Sequence, residues 1–154
     1  MYTKQEASGI RQAFWTTFGQ YLSPIPGAGG TRINWVNYKT GLRDVYIKMD
    51  ATDMEANIAI VLTHKERERQ FALYNKLFIM KPELEMTLME EWIWDRDAYQ
   101  EGRMVCRIYI NLPGVSIFKK GDWPRMITFL KDRIIRLDSF WFNKKELLEM
   151  WLEC

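Results

Sequence analysis

Three observations predict a mostly antiparallel α+β fold. Alternating apolar and polar residues recur with the period of a pleated strand, capping patterns open stretches of helical apolar spacing, and clusters of Pro and Gly separate the two kinds of segment. The predicted order is α-βββ-α-ββ-α, a five-stranded sheet with its helices packed on one face, because that arrangement buries every apolar row. At 154 residues the chain reads as one α+β domain, residues 1–154. A domain of this size buries roughly 70% of its unfolded-chain surface and needs no disulfide or metal staple.

Thr3 with Glu6 three residues later has the spacing of a capping box, and Ile10, Phe14, Phe18 and Leu22 follow at helical intervals. A first helix from about Lys4 to Leu22 is expected. The run Ser23 to Gly30, with two prolines and three glycines, ends it and reads as a mobile connection. A strand near Thr31 to Tyr38 then sets Ile33 and Trp35 against Arg32, Asn34 and Tyr38. Lys39, Thr40 and Gly41 turn it into a hairpin with a second strand near Arg43 to Met49, where Val45, Ile47 and Met49 oppose Asp44, Tyr46 and Lys48. The third strand, about Ala56 to Leu62, is apolar on both faces apart from Asn57, the composition of a central strand.

Thr63 and Glu66 repeat the capping-box spacing, so a helix is expected from His64 toward Met80, with Pro82 kinking it or splitting off a short helix that ends near Glu90. Trp92, Ile93 and Trp94 alternate, as do Met104 through Ile110, with Gln100, Glu101 and Gly102 as the turn between two strands. Leu112, Pro113 and Gly114 close the last strand. Asp122 is placed to cap a final helix with the inward stripe Ile127, Leu130, Ile134 and Leu137, and Asn143 with Glu146 offers a second cap, so this region reads as one helix or two.

Composition narrows the function classes. A net charge of +2 gives no global electrostatic attraction to DNA or an anionic membrane, so any such preference must be local. The N-terminus lacks the apolar core of a signal peptide and no run approaches membrane-span length; a cytoplasmic chain without membrane contact is expected. Cys106 sits within an apolar alternation and Cys154 is the last residue, a spacing that suggests neither a disulfide framework nor a zinc site. We expect no cofactor and no metal. Gly27, Gly29 and Gly30 do not form a phosphate loop, since a helix precedes them and a strand follows, the reverse of what that motif requires.

Two places could bind. If the strands pair as expected, Arg32, Asn34, Tyr38, Tyr46, Lys48, Arg107 and Tyr109 face away from the helices, with Lys39 at the adjoining turn and Asn57, Ala59 and Val61 as a low floor. Rings beside cations suit stacked bases or a gripped peptide, although the same residues suit the solvated face of an ordinary sheet. Thr63, His64 and Lys65, at an expected helix start, could hold an anion on unpaired N–H groups. Among enzymes, a metal-dependent phosphodiesterase using Asp44, Glu91 or Asp95 is the alternative, but Tyr46 stands where its second carboxylate should be. The C-terminal run of Phe140, Trp141, Phe142, Leu147, Leu148, Met150 and Trp151 exceeds what one helix face needs and raises a third reading, a structural subunit that works as a homodimer or beside another protein.

The opening residues Ile10, Arg11, Phe14 and Trp15, the run Ile33 to Gly41, and Leu62, Thr63, His64 and Lys65 resemble the bacterial family called domain of unknown function 4268. Glu91 to Trp94, Leu112 to Phe118, and Asp122, Trp123 and Pro124 extend the resemblance over nearly the whole chain. It implies a stand-alone bacterial cytoplasmic member of a family whose domain also ends longer proteins that look nuclease-like or restriction-associated. It brings no catalytic motif to positions here, and company of that kind argues by analogy only. Taken together, the sequence predicts a non-catalytic binding or accessory domain that uses its aromatic and basic sheet face, with nucleic acid preferred over peptide or protein as partner, in a restriction or defence context.

Overall fold

The structure, a computed structural model, describes residues 1–153, with side chains through Trp151. Cys154, expected to form no disulfide, lies outside the described residues. The elements in chain order are α1 (Lys4–Leu22), β1 (Val45–Ala51), β2 (Glu55–Leu62), α2 (Arg67–Ile79), α3 (Lys81–Leu88), β3 (Ile93–Gln100), β4 (Arg103–Pro113), a 3₁₀ turn at Lys120–Asp122, and α4 (Trp123–Glu153). The fold is α+β, with one antiparallel sheet of four strands in the order β1-β2-β4-β3 among the described residues.

The five-stranded expectation is therefore corrected: Thr31 to Tyr38 is not a strand. The Asn34 side chain accepts from the Asn37 N–H at 3.1 Å, a local bond that turns the chain instead of leaving its backbone free for a ladder. Trp35 leaves the alternation to enter the core, 3% exposed, and donates its indole N–H to the Ile25 carbonyl. The hairpin expected across Lys39 to Gly41 is replaced by one between β1 and β2, where Thr52 accepts from the N–H groups of Met54 and Glu55. The connection after α1 is also anchored. Gly27 is buried where an added Cβ would lie 3.1 Å from Ile33, and the Ala28 N–H donates to the Asp138 carboxylate at 2.7 Å.

The remaining strands follow their alternation. Val45 and Ile47 from β1, Ala56, Ile58, Ile60 and Leu62 from β2, and Cys106 and Ile108 from β4 turn to the helices and share one large core cluster with Phe14, Phe18, Leu73, Leu77, Leu130, Ile134, Leu137 and Trp141. β2 is interior to the sheet, as an apolar strand with two buried faces must be. The β3–β4 turn has positive φ at both Glu101 and Gly102 between the paired Gln100 and Arg103, the type I′ geometry that matches strand twist. In β3 the register slips by one residue between Asp95 and Ala98, a bulge. The Arg96 carbonyl within it accepts from the Arg67 guanidinium of α2 at 3.1 Å.

The helices follow expectation apart from the start of α2. α1 carries the predicted capping box between Thr3 and Glu6. α2 starts at Arg67 instead of His64: the Thr63 hydroxyl donates to the Asp44 carbonyl, and no side chain caps the helix. The break at Pro82 yields the separate α3. Asp122 accepts from the Ser116 N–H at 2.9 Å, and α4 runs as one helix through the second cap pattern at Asn143. α4 is fastened to the segment before β3 by Arg133, which donates to both oxygens of Glu90 at 2.8 Å and lies 4.0 Å over the Phe129 ring. No helix among the described residues is long and apolar enough to cross a membrane.

Cys106 is wholly buried, and burial pushes its thiol from 9.0 up to about 11, against the partial opposition of the Arg67 charge. Since the thiolate is the reactive form, this shift alone should slow alkylation about a hundredfold. In a Cys154→Ser background, native protein should therefore label far more slowly than urea-unfolded protein at mildly alkaline pH; equal rates would show that the strand opens freely.

Candidate binding surface

The sheet register assembles one face opposite the helices. Tyr46, Val61, Arg107 and Asp95 form one row across the four strands, and Lys48, Ala59, Tyr109 and Ile93 form the next. Asp50, Asn57 and Asn111 follow as a third row over three strands. Ala59 and Val61 are each 1% exposed and cluster with Ala98, Val105 and Tyr109, without any helix residue. The longer side chains around them therefore wall a shallow trough. With strands about 4.8 Å apart, Tyr46 and Arg107 stand roughly 10 Å from one another across it.

Each wall pairs a cation with a ring. The Arg107 guanidinium lies 4.3 Å over Tyr109, and the Lys48 ammonium 5.4 Å from the Tyr46 ring centre. Arg107 is held by Asn57, which accepts from its Nη2 at 2.9 Å and donates in turn to the Asn111 side-chain carbonyl. Asn57 thus links β4 to β2 through side chains as well as through the ladder. At one end of the trough a cleft of about 190 Å³ is lined by Tyr46, Lys48, Val61, Thr63, Arg103 and Val105 with the turn residues Gln100 and Glu101. Arg103 donates from this end to the Thr63 carbonyl. Nothing local in the sequence marks this turn arginine as facing the trough.

Tyr46, Lys48, Arg107 and Tyr109 are thus brought together, whereas Arg32, Asn34, Tyr38 and Lys39 are not. Those four belong to the connection before β1. Asn34, Tyr38 and Lys39 line a separate pocket of about 360 Å³ against Asp138, Trp141 and Lys145 of α4. Tyr38 has a structural task there, donating its hydroxyl to Asp138 at 2.5 Å. Burial, then that hydrogen bond and the carboxylate charge, raise the phenol far above its ordinary value, so it stays a donor at any accessible pH.

Thr63, His64 and Lys65 lie before α2 and not in its first turn, so the helix N-terminus does not serve them as expected. His64 is 5% exposed, and its backbone carbonyl accepts from Gln70 at 2.6 Å. Burial lowers the imidazole below its ordinary value, Arg69 adds to that lowering, and Asp44 and Glu66 oppose it.

The acids of the phosphodiesterase reading are dispersed. Asp44 immediately precedes β1 and Asp95 lies in β3, the two edge strands, separated by three strand spacings or about 14 Å. Glu91 is exposed ahead of β3. Among the described residues no group of three His, Cys, Asp or Glu side chains is placed to hold a metal ion.

Of the C-terminal apolar run, Phe140, Trp141 and Leu148 are buried in the core, while Phe142, Leu147 and Met150 face solvent. No curated protein and no solved structure matches the chain. A family model does match, over residues 10–145 and therefore most of the sequence, and on that match the chain belongs to the family described as Domain of unknown function (DUF4268).

Proposed function

We propose that this protein is a non-catalytic binding or accessory domain whose open sheet face receives single-stranded nucleic acid. The observation that carries the reading is the trough itself: two cation and tyrosine pairs on opposite walls of a floor of Ala59 and Val61, with no helix residue packed in that cluster. Bases stack on guanidinium planes and aromatic rings alike, and the rings and cations that cover Ala59 and Val61 are the surface offered to them. Lys48, Arg103 and Arg107 are the cations able to meet phosphates there. A duplex presents its bases edge-on inside a stack and cannot use such a trough, so single strands should bind better.

The test is a fluorescence anisotropy titration with single-stranded and duplex oligonucleotides at several salt concentrations, with and without magnesium. Three phosphate contacts to a single strand predict a slope of about −2 for log affinity against log salt. Saturable single-strand binding with that slope, unchanged by magnesium and without cleavage, is the expected result. Absence of binding at tens of micromolar protein would sink the nucleic-acid reading, and magnesium-dependent cleavage would replace it with the phosphodiesterase.

A further inference from the structure

We infer that the pocket between the start of β1 and α2 is a second binding site, for a phosphomonoester dianion. It is distinct from the sheet trough and does not rest on the proposal made for it. The pocket encloses about 400 Å³, within the range of small-ligand sites, and is lined by Arg43, His64, Lys65 and Arg69 together with the Trp151 indole.

Two independent observations point to a ligand. The first is His64, which lines this pocket at 5% exposure, yet its Nδ1 is buried with no hydrogen-bond partner. Buried ring nitrogens are ordinarily satisfied, so an unpaired one needs an explanation. The second is the disposition of charge. Arg43, from before β1, meets Lys65 and Arg69, from the stretch that enters α2, on one concavity, and none of the three forms an ion pair among the described residues. Asp44 and Glu66 also line the pocket, so the surplus is one positive charge with His64 neutral, and two with it protonated.

A phosphomonoester suits this set better than a carboxylate. It offers three acceptor oxygens for two forked guanidiniums and an ammonium, and its second charge balances the surplus that protonation of His64 would create. The charge of a bound anion would oppose burial and Arg69 and favour the imidazolium. The Trp151 ring, with Lys76 5.3 Å from its centre, supplies an apolar wall on which a nucleoside or other flat substituent could lie.

His64 is the single histidine of the chain, so its ring resonances are unambiguous. The experiment follows them by NMR during titration of the whole protein with inorganic phosphate, then with adenosine monophosphate, against sodium chloride at matched ionic strength. The expected result is a saturable shift, a rise in the His64 midpoint when phosphate is bound, and at least about tenfold weaker binding in Arg43→Ala and in Arg69→Ala. Both arginines are exposed, and unchanged amide spectra will confirm that these variants remain folded. Tighter binding of the nucleotide would assign its base to Trp151, and equal binding would assign the site to free phosphate. Overturning the proposal takes either phosphate moving the His64 signals no more than chloride does, or both arginine variants binding as the parent protein does.

Discussion

Asp138→Ala is expected to destabilise the protein by about 3 kcal/mol, since hydrogen bonds to charged groups contribute about 1.5–3 kcal/mol each and two are lost. The carboxylate is 7% exposed and accepts from the Ala28 N–H at 2.7 Å and the Tyr38 hydroxyl at 2.5 Å, fastening both ends of the connection before β1 to α4. Removing it strands both donors in a half-buried setting and recovers only part of the cost of having buried a charge. For a domain near 150 residues this corresponds to a melting temperature lower by roughly 10 °C. Asp138→Asn keeps one acceptor oxygen and should cost about half as much. Calorimetry on both variants checks the order; an Asp138→Ala protein within about 0.5 kcal/mol of the parent would mean that Trp35 and Trp141 hold the connection unaided.

Replacing Tyr46 and Arg107 together by alanine should weaken single-strand binding by about 3 kcal/mol, more than a hundredfold. Loss of a stacking ring contributes about 1–3 kcal/mol, and the guanidinium adds a charge-assisted contact. The two side chains come from opposite walls, roughly 10 Å apart, so the single variants should be close to additive. Tyr46 is 46% exposed, and its loss should leave stability nearly unchanged. Arg107 is tied to Asn57, so the melting temperature of its variant must be measured beside its affinity. A double variant that binds within about twofold of the parent would place the nucleic acid elsewhere or nowhere.

The sequence by itself determined the elements whose cause is local or periodic. The Thr3 and Glu6 capping box, the Ile127 to Leu137 stripe, the turn at Glu101 and Gly102, and the alternation in β1, β2 and β4 all follow from interactions within a few residues, or from a period that leaves one burial solution. The trough was legible for the same reason: in a strand of known period, Tyr46, Lys48, Arg107 and Tyr109 must share a face whichever order the strands take.

Tertiary structure alone decided the rest. Thr31 to Tyr38 alternates like a strand, but its aromatic residues found better partners than a ladder could give: a core site and a carbonyl for Trp35, and Asp138, a hundred residues away in sequence, for Tyr38. Four of the eight expected contact residues left the sheet face with that segment. Strand order was likewise invisible, and with it the separation of Asp44 from Asp95 onto opposite edges. The pocket at His64 depends on Arg43, Arg69 and Trp151 converging from before β1, from α2 and from the far end of α4. Pattern and propensity act over one or two turns of chain, whereas a site assembled from three elements exists only once packing has fixed their distances.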